Sequence, residues 1–187
     1  METTQFKNIK PQGAPSQEKR KRRGAVSEYK KSLTEKQSLK RLYGLSERQF
    51  KRYVLETLEK MGRVQDVSDE LVKQLEKRLD NVVFRMGFSK SRGHARQMVN
   101  HAYFLVNGKP VNIPSFQVSK DDLIILKETK KKTVIFKDLS EIVKKIETPL
   151  WLVLNKEKFE CKVVGEPSLA EVNPPVQIPL VFEFYSR

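Results

Sequence analysis

The sequence predicts an α+β fold, with an N-terminal helical domain followed by a small, mostly antiparallel sheet. Apolar residues recur at helical spacing through the first half of the chain, which is typical of amphipathic helices. Beyond about residue 103, short apolar runs are separated by turn residues such as Asn-Gly, which is typical of antiparallel strands. The length of 187 residues suits one or two small domains.

The first two helices are predicted from their caps. Ser27 is expected to cap a helix over residues 28–43, because serine side chains accept hydrogen bonds from free backbone N–H groups. Ser46 and Gln49 form a Ser-x-x-Gln capping box. The second helix therefore begins at Ser46, and it is expected to close at Gly62.

A third helix is predicted from Ser68 to Gly87. Acidic residues follow Ser68, and the helix dipole favours them in a first turn. Leucine, valine and methionine then recur on one face as far as Met86. This periodicity indicates a single helix with a buried face.

A short helix and a hairpin are expected next. The helix starts near Ser91, and Asn107-Gly108 between apolar pairs predicts a two-residue hairpin turn. A further strand is predicted over residues 123–126. The product is two helices packed on a small sheet.

The N-terminus of that short helix is a candidate phosphate site. Arg92 and Arg96 lie one helical turn apart and should point the same way. Two guanidinium groups at this spacing can bridge adjacent backbone phosphates beside free N–H groups. The alternative is that both are ordinary solvated charges.

The last third of the chain gives mostly fold information. Residues 138–146 are expected to form a short helix, and residues 150–154 and 159–164 a hairpin. Residues 180–185 are predicted as a closing strand or extended tail. The basic residues 130–132 could reach nucleic acid or stay solvated. Trp151 and Cys161 are expected in the core.

Composition excludes several classes of protein. Hydrophobic residues make up 38% and charged residues 32%, so the core is modest and the surface highly charged. The longest apolar run, residues 150–154, is far short of the roughly 20 residues that span a bilayer, and no secretory signal is evident. One cysteine and two histidines argue against an internal disulfide or a structural zinc site. We therefore expect a cytoplasmic protein without membrane partner, metal or cofactor.

The positive charge is concentrated towards the N-terminus. The formal net charge is +14, with an isoelectric point of about 9.8. Residues 1–60 hold 16 Lys/Arg against 7 Asp/Glu, whereas residues 151–187 hold 4 against 5. This gradient predicts a front that binds a polyanion, most often nucleic acid, and a neutral end that packs.

Residues 1–26 lack apolar periodicity and contain the basic run Lys-Arg-Lys-Arg-Arg at positions 19–23. We interpret them as a flexible arm that orders against an anion. A solvated tail and a nuclear-import signal are the alternatives.

Four segments resemble a known RNA-binding module. They are residues 79–88, the Ser-Arg-x-x-Ala-Arg-Gln-x-Val run at 91–99, and the stretches 105–109 and 111–115. Together they resemble the α-L RNA-binding motif. That motif alone is shared with several RNA-modifying enzymes and some synthetases.

The flanking sequence makes the resemblance more specific. Residues 35–37 and 42–53, and the ending Phe-Glu-Phe-Tyr-Ser-Arg at 182–187, are similar to the small-subunit ribosomal protein S-four family of bacterial type. The match is strong over about 28–128 and the last ten residues, and weak from about 129 to 177.

This resemblance implies a structural constituent of the small ribosomal subunit that is not an enzyme. It implies a primary binder of small-subunit ribosomal RNA that nucleates assembly of the subunit body and contributes to translational accuracy. The implied protein neighbours are S-five and S-twelve, and no small-molecule substrate is expected. The expected domains are an arm (1–26), a helical RNA-binding domain (27–78), an α-L module (79–128), the rest of the α/β domain (129–181) and a tail returning to the helical domain (182–187).

The resemblance also implies RNA-binding residues in two groups, and no catalytic residue or metal ligand. From the helical domain they are Lys36, Lys40, Arg41, Arg48, Lys51 and Arg52. From the α-L face they are Lys90, Ser91, Arg92, Arg96, Gln97, His101, Asn107 and Lys109.

The chain departs from the family pattern at several points. Many relatives carry an N-terminal four-cysteine zinc knot, which the cysteine-free arm excludes here. Ala102 stands where glycine is usual, which argues against a left-handed helix cap. Asp122 replaces a common turn glycine. His94 matches no family position, and a surface or capping role suits either histidine at least as well as catalysis.

Two other functions use the same module. An RNA-modifying enzyme such as a pseudouridine synthase would need a separate catalytic domain, and only about 60 residues follow position 128. A heat-shock-type factor that recognises stalled large subunits would lack the long basic helical front and the C-terminal match.

Overall fold

A computed structural model describes residues 27–131 and 147–186 of the chain. The predicted arm (1–26) and the predicted helix at 138–146 lie outside the described residues. None of the helices in the described ranges combines the length and apolar character needed to cross a bilayer.

The described residues form eight helices and one five-stranded sheet, which confirms the α+β prediction. The helices are α1 (Glu28–Leu42), α2 (Glu47–Leu58), α3 (Val67–Glu76), α4 (Leu79–Arg85), α5 (Arg92–Asn100), α6 (Glu128–Lys131), α7 (Leu169–Val172) and α8 (Ile178–Ser186). The strands are β1 (Phe104–Val106), β2 (Lys109–Val111), β3 (Leu123–Leu126), β4 (Leu152–Asn155) and β5 (Glu160–Val163). The sheet order is β2-β1-β3-β5-β4, and every neighbouring pair is antiparallel.

The predicted N-caps of α1 and α2 are confirmed, whereas α2 ends at Leu58, before the predicted Gly62. The Ser27 hydroxyl accepts a hydrogen bond from the Lys30 N–H at 3.3 Å, and the Ser46 hydroxyl accepts one from the Gln49 N–H at 3.3 Å. Gly44 follows α1 with φ of 61°, a conformation that glycine adopts without steric cost. These local signals set the turn between the first two helices.

The prediction of one helix from Ser68 to Gly87 is wrong. The chain leaves the helix at Lys77 and Arg78, where Arg78 is extended with ψ of 134°, and it resumes as α4. The Leu79 N–H donates to the Phe116 carbonyl at 2.8 Å, and the Val118 N–H donates to the Lys77 carbonyl at 2.9 Å. The break exists because this backbone pairs with a segment 40 residues away, which helical periodicity cannot reveal.

The start of α3 also differs from the prediction. Asp66 is the N-cap, and its carboxylate accepts a hydrogen bond from the Ser68 N–H at 2.7 Å. Aspartate and serine are equally good caps, and the helix begins after the aspartate, two residues before the predicted serine.

Both predicted hairpins are confirmed. Asn107 and Gly108 have φ of 50° and 79°, the left-handed pair that a two-residue turn of type I′ requires. Phe104 pairs with Val111 across the first hairpin. In the second, β4 and β5 pair in antiparallel register.

The buried apolar residues of the described ranges form two clusters. The sheet cluster contains the apolar faces of α4, α5 and the sheet, and the helical cluster contains those of α1, α2, α3 and α8. Trp151 and Cys161 are buried in the sheet cluster, as predicted. Burial raises the pKa of the Cys161 thiol to about 12, so this cysteine stays a neutral apolar side chain at pH 7.

The prediction of a strand or extended tail at residues 180–185 is wrong, because these residues belong to α8. Ile178, Val181 and Phe182 are buried in the helical cluster, and with Tyr185 they follow helical spacing. Pro179 lies in the first turn, where its missing N–H costs nothing. Packing on α1 and α2 overrides the β preference of a valine- and phenylalanine-rich segment.

Candidate nucleic-acid interface

The outer face of α2 carries three of the predicted RNA-binding residues. Arg48, Lys51 and Arg52 are exposed, while the opposite face is buried in the helical cluster. Arg52 makes a long ion pair with Glu56 at 3.5 Å, and its side chain is still 60% exposed. The helix therefore presents a row of accessible cations.

The end of α1 adds one accessible cation and one paired cation. Arg41 is exposed and donates to the Gln37 side chain at 3.2 Å. Lys40 donates to Glu47 at 2.8 Å, with a fifth of its side chain accessible. Arg41 is thus better placed than Lys40 to meet a polyanion.

Lys36, predicted to contact RNA, lies instead in the interior. It is 6% exposed, donates to the Glu47 carboxylate at 2.7 Å and lies 4.4 Å from the centroid of the Phe184 ring. Burial would raise the pKa of Glu47, but hydrogen bonds from Lys36, Lys40 and Tyr185 lower it to about 2. Lys36 lies on α1, and its contacts with Glu47 and Phe184 join α1 to α2 and α8. Its charge is already neutralised by Glu47.

Arg96 also faces inward, which corrects the predicted phosphate clamp. Its Nε donates to the Asp80 Oδ2 at 2.9 Å, and one Nη donates to the Tyr43 carbonyl at 3.0 Å. The other Nη donates to the Gly44 carbonyl. One guanidinium therefore joins α5 and α4 to the turn between α1 and α2.

Arg92 occupies the same inward face. Its Nε donates to the Asn81 Oδ1 at 2.8 Å, and its guanidinium carbon lies 5.0 Å from the Tyr43 ring centroid and 4.4 Å from that of Phe84. Burial lowers the pKa of Arg92. The one-turn spacing of Arg92 and Arg96 did predict a shared face, but that face packs on the helical cluster, and both guanidinium groups already have partners within the protein.

Sequence reasoning missed a buried carboxylate at the centre of this junction. Glu76 is fully buried, and it accepts hydrogen bonds from the Tyr43 hydroxyl at 2.7 Å, from the Asn81 amide at 2.7 Å, and from Arg85 at 2.9 and 2.7 Å. Burial first, and then the Glu76 charge, raises the pKa of the Tyr43 phenol well above its usual range. Tyr43 therefore remains a donor.

A second buried pair lies beside the first. Arg78 is 2% exposed, donates to the Asp80 carboxylate at 3.1 and 2.9 Å, and donates to the Tyr53 hydroxyl at 2.7 Å. Burial opposes its charge, but Asp80 raises the pKa of Arg78. The available signal was the pair Asp80-Asn81 inside an otherwise apolar stripe, which requires buried partners.

We call this set of side chains the junction network. Its members are Tyr43, Tyr53, Glu76, Arg78, Asp80, Asn81, Arg85, Arg92 and Arg96. Because it joins the two core clusters through satisfied buried charges, it fixes their relative orientation.

The opposite side of α5 faces solvent. Gln97 and His101 are exposed, and His94 is half-buried. At about 100° per residue, these three lie on the far side of the helix from Arg92 and Arg96. This face is more accessible to a ligand than the side that carries Arg92 and Arg96.

The remaining predicted residues lie at the ends of the same elements. Lys90 and Ser91 are exposed, and the Ser91 hydroxyl accepts from the His94 N–H at 3.2 Å as the N-cap of α5. Lys109 is exposed at the start of β2.

Asn107 is exposed, but its side chain is used within the protein. It donates to the Asp122 carboxylate at 2.7 Å and accepts from the Leu123 N–H at 2.9 Å. Asn107 therefore pins the β1–β2 hairpin to the turn before β3, which leaves little capacity for an external partner.

In residues 27–131 and 147–186, no group of three or more His, Cys, Asp and Glu side chains is arranged to hold a metal ion.

Comparison with known families matches two parts of the chain. Residues 3–77 match the ribosomal protein S4/S9 N-terminal domain, and residues 77–124 match the S4 domain. The boundary between these matches falls at the junction network.

Curated relatives match over most of their length. The chain is 44% identical over 173 residues to small ribosomal subunit protein uS4 of Halothermothrix orenii, which covers 92% of this chain and 82% of the relative. It is 45% identical over 166 residues to uS4 of Thermodesulfovibrio yellowstonii and to uS4A of Clostridium novyi, covering 88% of this chain and 78% of each relative.

Proposed function

Because the chain belongs to the family of small ribosomal subunit protein uS4, we propose that it binds small-subunit ribosomal RNA as a structural component of the small ribosomal subunit. It is a ribosomal protein and not an enzyme, and it works in the cytoplasmic ribosome. One observation supports the proposed location of the RNA-binding surface. Exposed cations line the outer face of α2, whereas the buried cations are neutralised within the protein.

We infer that the RNA-binding surface spans both halves of the molecule. In the helical half it uses Arg41, Arg48, Lys51 and Arg52, with Lys40 at its margin. In the sheet half it uses Lys90, Ser91, Gln97, His101 and Lys109. Four further side chains hold this surface in place through contacts within the protein: Lys36, Arg92, Arg96 and Asn107.

The chemistry of recognition follows from A-form RNA. Its deep major groove is hard for side chains to read, so phosphate contacts and shape dominate binding. Each neutralised phosphate releases counterions, so affinity falls by roughly 0.7–0.9 log units per log unit of salt. A surface of several separated cations suits this mode.

The finer role is also a proposal. We propose that the protein nucleates assembly of the subunit body, contributes to translational accuracy and lies beside S-five and S-twelve. We also propose the domain division 27–78, 79–128 and 129–181, with a basic arm at 1–26 and a C-terminal segment at 182–187 that returns to the helical domain. The separate core clusters support the boundary near residue 78. The packing of α8, which begins at Ile178, on α1 and α2 supports the return of the C-terminal segment.

Salt-dependent RNA binding tests the surface. We expect Arg48→Ala with Lys51→Ala to weaken binding to a five-way junction of small-subunit ribosomal RNA and to reduce the log–log salt slope by about 1.5. Lys162→Ala is the control, because its exposed ammonium already pairs with Asp121. Unchanged affinity and slope in the double variant would contradict the proposed surface.

Sedimentation tests the assembly itself. The tagged protein should travel with small ribosomal subunits in a sucrose gradient at moderate salt. Recovery with large subunits instead would favour the alternative of a factor for stalled large subunits and would overturn the proposal.

A further inference from the structure

The outer side of α5 carries a small cleft where the helix meets β1. It has a volume of about 140 Å³ and is lined by His94, Gln97, Met98, His101 and Tyr103. Drug-sized ligands fill pockets of roughly 300–1,000 Å³. This cleft is therefore the size of one planar ring and not of a whole nucleotide.

The aromatic rings are placed by a strained backbone. Ala102 has φ of 51°, its N–H donates to the Val99 carbonyl at 2.8 Å, and the Tyr103 N–H donates to the Met98 carbonyl at 3.2 Å. This is the Schellman pattern, which normally has glycine at this position. The left-handed cap, against which Ala102 argued, is therefore present. The cap brings the His101 and Tyr103 rings together, with centroids 6.4 Å apart and planes at 63°.

The lining suits a base better than a phosphate. Met98 is 2% exposed and gives the cleft an apolar, polarizable wall. None of the five lining residues is Lys, Arg, Asp or Glu, so the cleft itself holds no fixed charge for an anion. Two aromatic rings offer stacking surfaces, and the Gln97 amide offers both a donor and an acceptor.

A cation stands beside the cleft. The Lys130 ammonium lies 4.7 Å from the Tyr103 ring centroid, close enough for a cation–π contact. A base that entered the cleft would bring its own backbone phosphate near this charge. The combination of rings, an amide and a neighbouring cation is the usual arrangement for single-stranded RNA.

We propose that this cleft holds one unpaired RNA base, stacked against the Tyr103 ring, with the inclined His101 ring and the Gln97 amide at its edge. The inference rests on the proposed RNA-binding function and adds a site that reads a single-stranded position. Arg92 and Arg96, on one side of α5, anchor the helix and so position this site. His101 and Gln97, on the other side, contact the base.

Chemical probing of the bound RNA tests the proposal. The full chain is bound to the five-way junction of small-subunit ribosomal RNA, and base-specific reactivity is mapped with and without protein. Wild type and Tyr103→Phe should protect the same unpaired base. Tyr103→Leu, which keeps apolar bulk but removes the ring, should restore its reactivity and weaken binding about 5- to 100-fold at an unchanged salt slope.

The outcomes separate the two proposals. Normal RNA binding and unchanged protection in Tyr103→Leu would overturn the base site and leave the ribosomal function standing. Failure of the wild-type protein to bind the RNA at all would overturn both. Thermal unfolding of the three proteins checks that each is folded, and Tyr103→Phe shows that the ring, not the hydroxyl, is responsible.

Discussion

The Arg96 guanidinium on α5 donates to the Asp80 carboxylate on α4 at 2.9 Å. Asp80 is 2% exposed and is also bound by Arg78, so this ion pair belongs to the interior. Arg96 also donates hydrogen bonds to two backbone carbonyls at the end of α1. A residue with the sequence pattern of a phosphate ligand is therefore used within the protein, where it holds α5 and α4 against the end of α1.

Replacing Arg96 should separate stability from phosphate contact. We expect Arg96→Ala to lower the free energy of unfolding by about 2 kcal/mol, less than for a fully buried pair because about a quarter of the side chain is accessible. RNA affinity should fall while the salt slope stays constant, since no phosphate contact is lost. A slope reduced by roughly 0.7–0.9 would instead show that Arg96 meets a phosphate. Urea unfolding and salt titration give the two readouts.

Glu76 should be the most sensitive carboxylate in the described structure. Glu76→Gln removes the charge that offsets Arg85, and removing one partner of a buried ion pair costs about 3 kcal/mol. Glu56→Gln is the matched control, because its pair with Arg52 is exposed on both sides and should contribute less than about 0.5 kcal/mol. Equal effects in urea unfolding would argue that the junction network does not stabilise the fold.

Local signals in the sequence predicted much of the fold. The Ser27 and Ser46 caps and the Asn107-Gly108 turn depend on residues within four positions of one another, so the sequence reveals them directly. The break at Arg78 and the helical form of residues 178–186 depend on partners tens of residues away. Such tertiary contacts override local propensity.

The candidate site shows the same division. Spacing correctly placed Arg92 and Arg96 on one face of α5, but spacing does not say whether that face meets solvent or protein. In the sequence alone, the exposed residues of the candidate site can be recognised only as positively charged or polar. Which of them remain accessible follows from long-range contacts such as that between Arg96 and the end of α1.

Stability should fall in acid through Glu47. Burial would raise its pKa, but three hydrogen-bond donors lower it from 4.5 to about 2 in the folded protein. A depressed pKa stabilises the fold above pH 4.5, and this stabilisation is lost as the pH falls from about 5 to 2. Because the side chain is nearly half exposed, solvent screening reduces the effect.

Glu47→Gln tests this origin of acid sensitivity. The variant should show a shallower loss of unfolding free energy between pH 5 and 2 than wild type, measured by urea titration at each pH. An unchanged pH profile would mean that other carboxylates dominate in this range.

Ala102 is a position where relief of backbone strain is expected to raise the stability of the protein. A left-handed conformation costs a non-glycine residue roughly 1–2 kcal/mol, and glycine loses part of that gain through the greater entropy of its unfolded chain. We therefore expect Ala102→Gly to raise the free energy of unfolding by about 1 kcal/mol in urea. Ala95→Gly, in the interior of the same helix, should lower it by more than about 1 kcal/mol, because glycine disfavours the helix and a buried methyl group is also lost. A destabilised Ala102→Gly protein would contradict the strained cap, since relief of that strain is the only effect the substitution should have on the folded backbone.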